Sequence, residues 1–426
     1  MEHVLLLALK GTTGDMLLYD QNLYEFKSRN RLWNTPHLGL LTVGAILAEK
    51  FHVTYLDLNF DTVKHYHYDY VFLSPTTSQA KQAYEQAAIF REHGVKVVLG
   101  GPHVTMVPGE ALAFGDIVFV GESERTLRQF LRGEQKRLYE EWERPSMSLV
   151  NVPLYELCKK YPYSSIPVQL SRGCPHQCEF CLSSTIYGKY IRRKSLAQAY
   201  QELCAVKQHF EKKLVFFTDD NFLLDISYSL EILKMLKELK LQWYAFTDIS
   251  IYKKKDLLEK LYSSGCRKLL IGFESLRESN LKVINKSGFK SAKVSHYEEA
   301  IHTIQSQKVG VIGSFVLGLE YDNDSIFDEL YQFIYNTCIF GTNITVSTPF
   351  PGTKLYEKIC SQQELSRDWS LYDGFTLLYD IPGIDKALFQ KRYHQLIQKI
   401  NSEDRIQRVM EYFKKVDKES REEPPV

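Results

Sequence analysis

Cysteine is missing from the first 157 residues; the earliest of eight is Cys158. A stretch of that length without a thiol holds neither a thiolate-bound metal centre nor a disulfide framework. A dominant charge sign is missing too. Lys and Arg number 53 against 52 Asp and Glu, a formal net charge of +1, so no global field favours nucleic acid or an anionic membrane. Only local basic clusters remain, such as Arg192, Arg193 and Lys194. Long apolar runs are absent: the first, Val4 to Leu9, is far too short to span a bilayer and has no basic flank before it, which argues against a signal peptide. Low-complexity segments and short-period repeats are also lacking. Irregularly spaced cysteines without a secretory signature point to a reducing compartment, and the expected location is the cytoplasm.

What is present is a chain of 426 residues, 44% hydrophobic and 25% charged, enough for about two to three domains with substantial cores. Residues 1–130 alternate short apolar runs (HVLLLAL, HVTYLDL, YVFLSP, KVVLGG, IVFVGE) with helical spacing (GLLTVGAILAEK and near Gln79–His93). Strands separated by helices imply βαβ units and a parallel sheet, whose ligands bind beyond the carboxyl ends of the strands. The tips there are Ser74-Pro75-Thr76-Thr77, Gly100-Gly101-Pro102-His103 and Gly121-Glu122. A charged, proline-broken connection follows over 131–163. From Val168 a second series begins: IPVQLS, KLVFFTD, WYAFTDI, KLLIGFE, VGVIGSFVLG and NITVSTP, with helices such as Leu196–His209 and Leu230–Leu239 between them. Six such repeats predict a partial barrel with its chemistry at the C-terminal strand ends. An amphipathic helix is expected over about Asp385–Val416, followed by a frayed charged tail. The expected division is 1–140, a linker over 141–163, 164–375 and a helical region over 376–426.

Cys174, Cys178 and Cys181 form C-x3-C-x2-C within SRGCPHQCEFCLSS. Three thiolates in eight residues can converge on one metal centre. In a four-iron cube they ligate three irons and leave the fourth open to a non-protein ligand, which suits a reactive cluster better than an electron carrier. Structural zinc takes four N or S ligands, and the nearby His176 is badly placed for a tetrahedron. Zinc stays as the alternative metal, and a non-catalytic iron–sulfur or zinc binding module as the alternative function. The scattered Cys158, Cys204, Cys266, Cys338 and Cys360 read as small buried hydrophobes, with Cys338 also a candidate hydrogen-atom donor.

The cysteine loop resembles that of the radical S-adenosylmethionine (SAM) superfamily, whose hallmark C-x3-C-x-Φ-C carries an aromatic where Phe180 stands. The resemblance continues through FFTDDNF, IGFES, FVLGLE and STPFPGTKLYE, each at a predicted strand end. It implies a [4Fe-4S] cluster on the three cysteines and SAM held by Phe180, Asp219, Asp220, Glu274 and Gly318. TPHLGLLTVGAILAE, VTYLDLN, VFLSPTT, VVLGGPHVT and DIVFVGESERTL resemble the cobalamin-binding domain fused to class B radical SAM enzymes. That implies an N-terminal Rossmann-like sheet ahead of a partial (β/α)6 barrel. It implies cobalamin contacts from Leu38, Gly39, Ser74, Thr76, Thr77, Gly100, Gly101, His103, Gly121 and Glu122, with a structural role for His103 as the alternative. The D-x-H-x-x-G motif that supplies a lower cobalt ligand in many cobalamin proteins is absent, and GTTGDMLLYD after the first strand has no histidine. The resemblance therefore implies a lower cobalt face that is vacant, water-bound or met by another side chain.

The activity implied is a C-methyltransferase. One SAM methylates cobalamin, giving methylcobalamin. A second yields the 5′-deoxyadenosyl radical, which takes hydrogen from an unactivated carbon, and that carbon then takes the methyl group. Ring contraction, cyclisation or another rearrangement without methyl transfer is the alternative for the same residues. Methylthiolation would need three further N-terminal cysteines, which the chain lacks. Tyr187, Tyr190, Tyr244, Asp248, Ser314 and Thr348 are candidates to line a small-molecule or peptide substrate. A flavodoxin-type reductase is the expected partner, with no nucleic acid and no membrane.

Overall fold

The computed structural model describes residues 1–11 and 34–422. Most of the GTTGDMLLYD stretch, beyond Gly11, and the last four residues of the tail lie outside the described residues. Among the described residues no helix is long and apolar enough to cross a membrane.

Apolar runs of four to six residues become the parallel strands β1 (His3–Ala8), β2 (His52–Asp57), β3 (Tyr70–Leu73), β4 (Lys96–Leu99) and β5 (Ile117–Gly121). Helices cover both faces, so a strand such as β1 is buried from Val4 to Leu7 and reads as a continuous apolar run. A further strand, β6 (Leu138–Glu141), completes the order β2-β1-β3-β4-β5-β6. It falls in the segment expected to be a bare connection. Its sequence LYEE carries no apolar run, and β5 supplies the pairing partner, Val118 with Leu138 through Gly121 with Glu141. The order reverses between β1 and β3, and such a switch point opens a crevice beyond the strands' carboxyl ends.

The second series starts with β7 (Ser165–Val168). The short antiparallel pair β8 (Ser171–Arg172) and β9 (Arg192–Arg193) follows, then β10 (Leu214–Phe217), β11 (Trp243–Thr247), β12 (Cys266–Glu274), β13 (Gly310–Leu317) and β14 (Gly341–Val346). β10 to β14 pair in parallel with each sequence neighbour. Counted from β7, the parallel strands number the six expected of a partial (β/α)6 barrel. Helices begin at side-chain caps: Ser195 accepts from Gln198 N while Gln198 Oε1 accepts from Ser195 N, and Asp225 accepts from Tyr228 N. The expected C-terminal helix is two, Lys386–Ile400 and Glu403–Glu422. Ser402 breaks it, its hydroxyl accepting from Arg405 N, and the buried Arg405 guanidinium donates to Ile339 O at 2.6 Å.

By its contacts the chain forms two compact units. The first contains the N-terminal sheet, β7 to β9 with the cysteine loop, and residues 349–373; the second contains β10 to β14 and the C-terminal helices.

Candidate active site

In the first unit, β8 and β9 form the neck of a loop that carries all three motif cysteines. Cys174 N donates to Gly188 O at 3.0 Å, and Lys194 N to Leu170 O at 2.9 Å. Gly173 sits at φ +102, where an added Cβ would lie 2.3 Å from Tyr190 O, so the neck closes only around a glycine. Cys181 N donates to Cys178 O and ends the turn, and the helix Leu182–Tyr187 starts at once. Arg144 holds that helix's far end through Ile186 O and Thr185 O, both at 3.1 Å. Cys174, Cys178, Cys181 and Phe180 are all partly exposed. Among the described residues no three His, Cys, Asp or Glu side chains converge as a single metal ion requires. Three thiolates on one short loop can ligate three irons of a cube and leave the fourth open. Beside the loop lies a hollow of about 540 Å³, lined in part by Gln177, Lys189, Tyr190 and Arg192.

At the carboxyl ends of β3, β4 and β5 lies a cavity of about 240 Å³. It is lined by the predicted Gly39, Ser74, Gly101, Gly121 and Glu122, and by the predicted substrate residue Tyr187. Gly101, at φ +88, has Ser74 Oγ where a Cβ would stand, 2.3 Å away. Gly121, at φ +82, is a glycine because Glu141 O of β6 would lie 2.0 Å from its Cβ. Small residues, hydroxyls and exposed backbone suit the amide-fringed edge of a corrin, which has to approach the main chain closely. Leu38, Thr76, Thr77 and Gly100 border these loops without lining the cavity. Thr76 instead caps the turn over Thr77–Gln79.

The two nearby histidines differ. His37 lines the cavity, but its Nε2 donates to Ser74 O at 3.0 Å and its Nδ1 accepts from Leu40 N at 3.2 Å. Both nitrogens are used, and burial holds its pKa below the ordinary value. His103 does not line the cavity. It is fully buried, edge-on to Trp369 with ring centroids 5.2 Å apart, and Glu110 lies 3.8 Å from its Nε2. Burial depresses its pKa, against the pull of Glu110. The ring nitrogens of His37 are thus committed to the main chain, whereas those of His103 are buried without a hydrogen-bond partner among the described residues.

Glu124 and Arg172, which the sequence did not single out, complete the wall, and Arg192, read there only as part of a basic cluster, reaches Glu122 from the hollow beside the cysteine loop. Arg172 NH1 lies 2.6 Å from Glu122 Oε2 and 2.8 Å from Glu124 Oε1. Arg192 NH2 lies 2.6 Å from Glu122 Oε1, and its NH1 also donates to Pro145 O. Burial opposes the Arg172 cation, yet Glu124 and Glu122 raise its pKa overall; burial likewise opposes the Glu124 anion, and Arg172 wins and lowers its pKa. A sequence shows the charges but not the partners, which stand 50 and 70 residues apart.

In the second unit the barrel interior has an apolar floor of Phe216, Tyr244, Leu270 and Ile312. Tyr244 is fully buried there, stacked on Phe216 at 4.5 Å. One register step towards the carboxyl ends, Ser314 accepts from Asn343 Nδ2 at 3.3 Å, a polar pair to which the sequence contributed only Ser314. Asp219 is buried beyond β10, next to the half-buried Asp220. Glu274 ends β12 at φ +65, held by the buried Lys290, whose Nζ is 2.7 Å from Glu274 Oε1 and 3.0 Å from Gly272 O. Gly318, after β13 at φ +80, donates its N–H to Asp322 Oδ2 at 2.9 Å and accepts from Tyr379 at its carbonyl. Asp248 caps a turn and accepts from Asn221 at 2.7 Å, and Thr348 is buried against Val346 O. Cys338 stands before β14, at the end opposite these residues, with its thiol on Tyr335 O.

The family comparisons agree with this geometry. The radical SAM superfamily model matches residues 168–334, and the B12 binding domain model matches residues 30–131. The chain thus carries a B12 binding domain and a radical SAM domain, the pairing found in cobalamin-dependent radical SAM enzymes. It is 29% identical to the bacteriochlorophyllide d C-12(1)-methyltransferase of Chlorobaculum tepidum, over 80% of this chain and 77% of that protein. It is 28% identical to the hopanoid C-2 methylase of Rhodopseudomonas palustris, over 78% of this chain and 66% of that protein. Its fold matches that of the radical SAM methyltransferase TsrM from Kitasatospora setae, solved with cobalamin and a [4Fe-4S] cluster, at a TM-score of 0.63 and 14% identity. The match covers 85% of this chain and 78% of that one. This cobalamin-dependent radical SAM enzyme is of the methyltransferase class and uses a [4Fe-4S] cluster, SAM and cobalamin.

Proposed function

We propose that the enzyme methylates an unactivated carbon of a largely apolar small molecule, of the kind that the bacteriochlorophyllide and hopanoid relatives are named for. One observation carries the reading: the three-cysteine loop and the strand-end cavity belong to the same compact unit and are joined through Glu122, Arg172 and Arg192. Cys174, Cys178 and Cys181 hold three irons, and Phe180 screens the cluster from water. Asp219, Asp220 and Glu274 attract the ammonium group of SAM, and Gly318 lets the main chain approach it. Ser74, Gly101, Gly121 and Glu122 meet the cobalamin edge. When bound, the cluster with SAM supplies a hydrogen-abstracting radical and cobalamin supplies the methyl group. The protein's own part is to bind, orient and keep water away, since a radical needs protection from side reactions. The polar pair Ser314 and Asn343 above an apolar floor gives one edge of a substrate pocket a hydrogen-bonding handle.

A reductase or flavodoxin-type electron donor reduces the cluster, and the protein works in the cytoplasm without nucleic acid. Eight cysteines without a disulfide suit that compartment. The working division is a cobalamin-binding region to residue 140, a linker to 163, the barrel to 375 and a helical remainder. The test uses anaerobically reconstituted enzyme, SAM with a trideuterated methyl group and a small-molecule extract. One CD3 group in place of one hydrogen, with 5′-deoxyadenosine formed alongside, is the expected product. A product of unchanged mass formed with 5′-deoxyadenosine would mean rearrangement instead.

A further inference from the structure

We infer that Arg172 and Arg192, gripping Glu122 and Glu124, are positioning residues that couple the cluster site to the cobalamin site. This rests on the reading that the cysteine loop takes the cluster and the strand-end cavity takes cobalamin.

Glu122 lies on the cavity wall, and Arg192 lines the hollow beside Gln177, which stands between Cys174 and Cys178. Both oxygens of Glu122 are taken, one by Arg192 NH2 and the other by Arg172 NH1 and Arg192 NH1. The two arginines come one from each strand of the neck, β8 and β9, and Arg172 is two residues before Cys174. Arg172 Nε is fixed by Gln169 at 2.8 Å, and its guanidinium carbon lies 5.5 Å from the Tyr187 ring centre, beside the cavity. Side-chain exposures of 4% for Glu122, 9% for Arg172 and 18% for Arg192 place the network out of water. Buried ion pairs add little net stability over apolar packing, and what they supply best is a fixed register. Here the register is that of the cluster loop against the strand end. The neck has no slack to absorb a shift, because Gly173 is packed on Tyr190 O. A change in Glu122 on cobalamin binding therefore reaches the loop, and by linkage cluster loading reaches the cavity in equal measure.

The test measures the rate of iron loss to a chelator in cluster-loaded protein, with and without cobalamin, and the cobalamin Kd with and without cluster. In the native protein each cofactor should strengthen retention of the other by about tenfold, within the usual span of such couplings. Arg192→Gln should still load both cofactors but bring that factor close to one. Arg192→Lys keeps the charge without the two-pronged grip, should restore part of the coupling, and serves if the first variant does not fold. Native protein that binds both cofactors with no mutual effect, or a factor that Arg192→Gln leaves unchanged, overturns the inference. Native protein that takes up no cluster or no cobalamin overturns instead the reading on which it rests.

Discussion

The carboxyl ends of the two sheets are built from different residues. β3, β4 and β5 end in Ser74, Gly100-Gly101 and Gly121, small residues whose side chains are absent or short. β10 and β12 end in Asp219 and Glu274, and the turn after β13 is tied to the carboxylate of Asp322. A corrin is broad and fringed with neutral amides, so its site needs close main-chain approach; SAM presents an ammonium group and a sulfonium, so its site needs negative charge. The two strand ends thus offer different chemistry, small residues and main chain at one and carboxylates at the other. The cysteine loop adds a third kind of site, made by side chains on a short loop whose neck is pinned to the first sheet.

Removing the loop's chemistry should separate the regions most sharply. Cys178→Ala should abolish 5′-deoxyadenosine formation, a loss of at least ~10³-fold, the scale typical for an essential reactive group. Iron content should fall while cobalamin still binds measurably. Equal loss of cobalamin would mean that the two regions are not separable.

Buried Asp322 gives the barrel end a pH signature of its own. Burial raises its pKa to about 6, although it accepts from Gly318 N, Leu319 N and Asn280. A raised pKa stabilises the fold fully below the unfolded value near 3.8 and is lost as pH rises through 6. Its contribution therefore falls by about 2 kcal/mol between pH 4 and 7. Thermal unfolding of native protein and Asp322→Asn across that range should diverge in slope. Parallel slopes would remove Asp322 from the account.

Gly101→Ala probes the other end. A Cβ there meets Ser74 Oγ and adopts a left-handed backbone, a strain of about 1–2 kcal/mol. Both stability and cobalamin affinity should fall, with SAM affinity unchanged by calorimetry. The smallest effect expected is that of Glu274→Gln. It should weaken SAM binding on the order of tenfold, ~1.4 kcal/mol, and leave cobalamin affinity alone. A reversal of either selectivity would break the contrast between the two strand ends.

Legibility in the sequence follows the range of the interactions. The cluster loop is eight residues long and could be read in full. That Ser74, Gly101, Gly121 and Glu122 line one cavity could be read because each stands at or within two residues of a strand end. The partners of Glu122 could not, since Arg172 and Arg192 reach it from another part of the chain. Tyr244 reads from the sequence as a pocket residue, but its depth does not: it stacks on Phe216 in the apolar floor. β6 was missed because LYEE has no strand signature, and its pairing depends on the neighbouring β5. The break at Ser402 is a capping event inside an otherwise continuous amphipathic pattern.

The most direct measurement needs no knowledge of the substrate. Reduced enzyme carrying both cluster and cobalamin is incubated with methyl-labelled SAM, and the extracted cobalamin is examined by mass spectrometry. Label on the cobalamin is the predicted result. Unlabelled cobalamin in enzyme that nonetheless produces 5′-deoxyadenosine would contradict methyl transfer as its function.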